Sequence, residues 1–239
     1  ILIIDEYDIS INVDDPKNAT LSIKNQAQST ITINTIKKDE TKQDITIKAN
    51  SEIYNQLTLK IGANVRSIKF DSINFHKSGN IIVNKDEDSD AFLTVGSLTV
   101  HPQTTGKLND VEIDEKLNVS QASSLELKNV KLEKSDLVLN LESYNYDNYQ
   151  TALLKGNLGA GPKSITLTNI KDESPVKDTE YLLFEGTFEK GCDNWANSIN
   201  LKGNQFNKKI CKSFEDQRLQ EFHGSLFVKT GKNKLSAGQ

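Results

Sequence analysis

The chain has 239 residues, a formal charge of −4 and a 36% share of apolar residues, below the roughly 45–50% of a compact globule. Acids and lysines are interspersed, with neither a basic stripe nor a concentrated acidic tail, which removes the usual footprints of nucleic-acid binding and cation storage. Arg66 and Arg218 are the only arginines, so bidentate recognition of phosphate or carboxylate has little to work with.

The chain opens on Ile1 and contains no methionine. It reads as a mature or excised piece of a longer product whose targeting segment is not visible. Its longest apolar runs, such as Ile1–Ile4 and Tyr181–Phe184, are too short to cross a bilayer.

From the N-terminus the chain is a succession of short apolar-polar-apolar triplets. Ile9-Ser10-Ile11 leads into the turn Asp14-Asp15-Pro16, and Leu21-Ser22-Ile23, Ile31-Thr32-Ile33, Ile45-Thr46-Ile47 and Leu57-Thr58-Leu59 follow. Two apolar chains on one face and one polar chain on the other is the two-residue period of a strand. Threonine in the outward slot suits a pleated surface. Ile68-Lys69-Phe70, Ile73-Asn74-Phe75 and Ile81-Ile82-Val83 continue the pattern.

The pattern is clearest over Ala91–Leu141. Leu98-Thr99-Val100, Leu117-Asn118-Val119 and Leu137-Val138-Leu139 recur at intervals of 19 and 20 residues, and Val111 and Val130 are again 19 apart. A period near 20 is that of a solenoid coil. Low apolar content fits, because a solenoid core is one narrow column. Taking Ile31, Leu57, Ile81, Leu98, Leu117 and Leu137 as one edge of successive coils gives spacings of 26, 24, 17, 19 and 20. Asparagine often falls just after a triplet, as at Asn25, Asn34, Asn50 and Asn129. Because it tolerates left-handed backbone, it can turn a corner without glycine. Leucine-rich repeats share the period, and Asn129 and Asn169 each follow a leucine by two. A leucine-rich-repeat-like solenoid is therefore the alternative architecture.

The rhythm breaks at Glu142–Tyr149, where Tyr144, Tyr146 and Tyr149 stand among Asn145, Asp147 and Asn148. Such rings can stack on a sugar face while the amides bind hydroxyls, or simply pack over the adjoining coil. The rhythm resumes at Leu153-Leu154. The strand Ser164–Asn169, a polar loop containing proline, and the strand Thr179–Gly186 resemble the C-terminal coils of autotransporter-passenger-like surface proteins. The resemblance covers about residues 151–188. It implies a right-handed parallel β-helix displayed at a cell surface. Passengers are usually cysteine-poor, and the two cysteines here depart from that.

Residues 189–239 differ in kind. Cys192 and Cys211, the only cysteines, are compatible with one disulfide. Lys208–Phe222 is the most helix-permissive run, with Ile210 and Phe214 four apart on one face. Gly224–Lys229 returns as a strand. The segment is expected to be a loop or short-helix insertion that caps the end of the same domain, residues 1–188 being the coils. Sequons at Asn18 and Asn118 are candidate glycosylation sites. With the cysteine pair they point to an oxidising, extracellular setting.

Other constellations carry weaker chemistry. Gly156–Ser164 approaches a phosphate loop, but Pro162 removes an amide donor and a strand-like run follows. The acids of Asn84–Asp90 lack the glycine of a calcium loop. His76, His101 and His223 are isolated from one another in sequence and from zinc-spaced cysteines. No catalytic constellation, metal set or cofactor motif emerges. The expectation is an all-β, right-handed parallel β-helix serving as a non-catalytic extracellular surface, adhesion or structural protein. Its partners are glycans or surface proteins, and a β-helix enzyme acting on polysaccharide is the alternative.

Overall fold

The computed structural model describes residues 2–4, 8–17, 19–35, 42–84, 90–120, 123–141, 151–168, 179–200 and 206–230. The chain begins with β1 (Leu2–Ile4), β2 (Ile9–Val13), β3 (Ile23–Asn25), β4 (Ser29–Thr35), β5 (Gln43–Ile47), β6 (Ser51–Ile53) and β7 (Gln56–Ile61). The centre holds β8 (Val65–Phe75), β9 (Asn80–Asn84), β10 (Phe92–Val100), β11 (Thr105–Ser120), β12 (Ser124–Lys131) and β13 (Asp136–Asn140). Then come β14 (Leu154–Gly159), β15 (Ser164–Thr168), β16 (Thr179–Phe188), the helix α1 (Asp193–Ser198), β17 (Ile199–Asn200), β18 (Phe206–Asp216) and β19 (Glu221–Thr230).

The protein is all-β, and its strands pair into a long, mostly parallel sheet with three ladders. The first runs β1, β3, β6, β8, β10, β11, β13, β15, β17. The second runs β2, β4, β7, β9, β11, β12, β14, β16. The third joins β5, β8, β10, β11 and β12. β11 visits all three in turn. Its Lys107–Asn109 part lies in the second ladder, Val111–Ile113 in the third and Lys116–Ser120 in the first.

The triplets set this arrangement. In β11 the side chains of Leu108, Val111, Ile113, Leu117 and Val119 are all buried, while Glu112 and Asn118 between them are only partly so. Each fully buried Leu or Ile contributes roughly 1.5–3 kcal/mol of transfer free energy, and repetition in every coil makes one continuous apolar column.

The single series of edge residues expected from spacing is in fact two. Leu57 pairs with Ile81 in the second ladder, whereas Leu98, Leu117 and Leu137 pair in the first. The next partner of Ile81 is Leu108, and the partner preceding Leu98 is Ile73. The triplets on different sides of a coil are alike, so spacing alone could not assign sides. The leucine-rich alternative requires a helix or 3₁₀ segment opposite one strand ladder. Among the described residues the one helix is Asp193–Ser198, so that alternative does not describe these coils.

Corners use the chemistry expected of asparagine in one clear instance. Asp110 and Asn129 both have left-handed backbone, with φ of 57° and 53°, and the Asn129 amide donates to Asp110 Oδ1 at 2.6 Å. Glycine is required farther on. Gly156 and Gly186 are register partners with φ of 98° and 151°, and a Cβ on Gly186 would collide with the Gly156 backbone.

At the C-terminal end the polarity changes. β16 pairs parallel with β14 on one edge and antiparallel with β19 on the other, and β19 pairs antiparallel with β18. The helix expected in Lys208–Phe222 is therefore absent, since that stretch is β18, a turn and the start of β19. Helix forms instead at Asp193–Ser198, where Trp195 is fully buried. Its ring meets Phe184 and Phe188 edge-on at 4.8 and 5.9 Å, and its Nε1 donates to the Gly159 carbonyl at 3.3 Å. Cys192 and Cys211 are at disulfide distance, with Cα atoms 5.7 Å apart, tying the start of α1 to β18. No helix among the described residues is long and apolar enough to cross a membrane.

Candidate functional site

Parallel, in-register strands place equivalent residues of successive coils about 4.8 Å apart, so residues at one corner form a row. Tyr54, His76 and His101 each follow the last residue of a first-ladder strand, and those last residues, Ile53, Phe75 and Val100, are register partners. Their rings stack. The Tyr54 and His76 centroids are 4.4 Å apart with planes inclined by 9°, and the His76 and His101 centroids are 4.1 Å apart with planes inclined by 17°. All three rings are half-buried.

Neighbouring coils lock the row. Glu52, in the outward slot of β6, pairs with His76 Nε2 at 2.5 Å and accepts from Asn74 Nδ2 at 2.8 Å. The Lys24 amine lies 5.9 Å from the Tyr54 ring centre, within reach of a cation–π attraction. Below Tyr54 the corner is built on Asn25, which is fully buried. Its amide donates to the Ala27 carbonyl at 2.5 Å and to Ser29 Oγ at 2.6 Å, and its Oδ1 accepts from the Asn55 backbone at 2.9 Å. With its polar groups satisfied, that buried amide fixes the turn that presents Tyr54. Lys24, Gln26, Tyr54, Asn55, Lys77 and Ser78 line an open cleft of about 450 Å³.

An aromatic face beside amide, hydroxyl and ammonium donors can take a ring that has one apolar face and polar edges. The Glu52–His76 pair has the form of a carboxylate orienting an imidazole. However, His76 Nε2 is engaged by Glu52 and both of its ring faces are covered, so the pair is arranged to hold the stack. Elsewhere on the surface carboxylates meet cations: Glu112 with Lys134 at 2.6 Å, Asp114 with Lys69 at 3.0 Å, and Asp44 with Arg66 Nε at 2.8 Å.

His101 gives the row a pH dependence. Burial first, and His76 beside it second, hold its pKa below the ordinary 6.5, against an opposing pull from Glu52. The unfolded chain therefore takes up this proton at higher pH than the folded one. The group's contribution to stability is complete above 6.5 and is lost as pH falls from there through the lowered folded value. Replacing His101 by phenylalanine keeps a ring in the stack and removes the proton. The fall in melting temperature over that acid range should be shallower in His101→Phe than in the native protein, and superimposable profiles would contradict this account.

Of the residues singled out from sequence, Tyr144, Tyr146, Tyr149 and Asn18 lie outside the described residues, as do residues 85–89 of the acidic stretch. Asn118 sits in β11, half-buried, and its amide donates to Thr99 Oγ1 at 3.5 Å. Residues 156–164 pass from β14 through a turn into β15 with no helix behind them, so no dipole converges at Lys163. His223 lies in the hairpin, 3.6 Å from Glu221 and stacked on Phe214. Among the described residues no three His, Cys, Asp or Glu side chains gather as a metal set.

The ring row was not anticipated, because His76 and His101 are isolated along the chain. Two members carried a shared signal, an imidazole one residue past a triplet at His76 and His101, whereas Tyr54 follows Ser51-Glu52-Ile53, in which serine takes the first apolar place. No protein-family model, curated protein or solved structure matches this chain.

Proposed function

We propose that the chain is a right-handed parallel β-helix acting as a non-catalytic extracellular surface protein, which binds glycan on the corner formed by Tyr54, His76 and His101. The observation that carries this reading is the stacked ring row beside an open cleft lined by Lys24, Gln26, Asn55 and Ser78. Stacking supplies apolar contact at small entropic cost, and the surrounding amides and hydroxyls match a sugar's edge. The three parallel ladders support the helical winding. The Cys192–Cys211 pair supports an oxidising compartment, and the passenger-like pattern of residues 151–188 supports surface display.

The test is incubation of the native protein with a panel of neutral and acidic polysaccharides, scoring both retention and new chain ends. A neutral glycan should be retained without cleavage, and Tyr54→Ala should weaken retention about tenfold, or about 1.4 kcal/mol. New chain ends would instead establish the polysaccharide-acting enzyme. Undiminished retention by Tyr54→Ala would remove this corner from the binding surface.

A further inference from the structure

β18 is paired with β19 along its length, and among the described residues no strand pairs with its other edge. From Lys208 to Asp216 the register is regular, and the stretch contains neither proline nor bulge, devices that commonly blunt an edge. Every side chain from Lys212 to Glu215 is exposed, Phe214 at 66%. Such an edge is a template for another strand. Its own sequence specifies which strand fits.

We propose that the edge of β18 pairs antiparallel with β18 of a second copy of this chain, about a two-fold axis through Lys212. A two-fold axis normal to the sheet keeps each residue on its own face, so opposed residues must be an even number of positions apart. Centring on Lys212 opposes Lys209 to Glu215 and Ile210 to Phe214, each twice. Neither Lys209 nor Glu215 has an ion-pair partner among the described residues. Moving the axis to Cys211 opposes Lys209 to Ser213, and moving it to Ser213 opposes Lys212 to Phe214. Both shifts lose the charge match.

Lysine on an edge ordinarily discourages pairing. Here the cation occupies the N-terminal half of the strand and the anion the C-terminal half, which antiparallel self-pairing turns into attraction. The cost falls on the axis, where two copies of Lys212 meet. Each amine lies 5.0 Å from the centre of its own Phe227 ring, which holds its charge over that face. The Cys192–Cys211 link anchors the middle of the strand to α1, so little order remains to be gained on pairing. The product joins the two sheets through a six-stranded antiparallel stretch, β16–β19–β18 of one copy continued by β18–β19–β16 of the other. One strand edge is a small interface, so the association is weak and concentration-dependent.

Sedimentation equilibrium of the intact chain tests this, with circular dichroism to confirm that each variant is folded. The native protein should show a reversible dimer of twice its 26.7 kDa mass. Lys209→Glu and Glu215→Lys each put like charges opposite one another twice, and each should weaken dimerisation at least tenfold. The double variant, and an equimolar mixture of the two single variants, each restore opposite charges at both positions and should restore the dimer. A native protein that stays monomeric throughout would overturn the proposal. So would single variants that dimerise as the native protein does, or a double variant and mixture that both remain monomeric.

Discussion

Leu127→Asp should leave the central coils unable to fold cooperatively. Leu127 is 1% exposed and pairs with Leu108 on one side and Gly156 on the other, so its side chain points into the apolar column inside the second ladder, with strands on both sides. Removing a buried leucine side chain alone costs about 2–5 kcal/mol. An aspartate there adds an unpaired carboxylate in an apolar column, a further cost of several kcal/mol. A domain is stable by only about 5–15 kcal/mol. The neighbouring Glu126 is only partly buried in an outward slot, and Glu126→Asp should change stability by about 0.5 kcal/mol or less. Thermal melting followed by circular dichroism distinguishes the two. A Leu127→Asp protein that melts as the native one does would mean that the side chain does not face the column.

Trp195→Ala should have the second-largest effect, concentrated at the C-terminal end of the stack. The ring is fully buried, sits edge-on to Phe184 and Phe188, and donates to the Gly159 carbonyl. Deleting it should cost about 3–5 kcal/mol in equilibrium unfolding by urea. Trp195→Phe retains part of the ring packing but loses the N–H, and should cost less. Amide hydrogen exchange should show the loss of protection centred on β14, β16 and β17 while β7 to β10 stay protected. Uniform loss across all strands would show that the stack opens as one unit rather than from its end.

Much of the strand content was legible because each element is short and strictly alternating. Leu98-Thr99-Val100, Val111-Glu112-Ile113 and Leu137-Val138-Leu139 are strands with the faces their apolar residues imply. The side of the coil on which each strand lies was not legible, because that depends on where corners fall and the triplets on every side look alike. The helix expected in Lys208–Phe222 failed for a related reason. A spacing of four, as between Ile210 and Phe214, keeps two residues on one face of a helix and also on one face of a strand. The hairpin pairs Ile210 with Phe227 and Phe214 with His223, contacts a local pattern cannot foresee. The real helix, at six residues, is too short to declare a period. The ring row needed register above all, since each of its three members comes from a different coil.

The reversal of direction at β16 bears on how long such a stack can be. A parallel ladder has no intrinsic length, because each coil leaves an edge of the same sense as the one it covered. β19 runs against β16 from Thr179 to Phe188, so the edge of β16 that a next parallel coil would cover is already taken by a hairpin strand of the opposite sense. The β18–β19 hairpin thus acts on the second ladder as a chain terminator does on a growing polymer, filling the place of the next unit with one that cannot continue the same ladder.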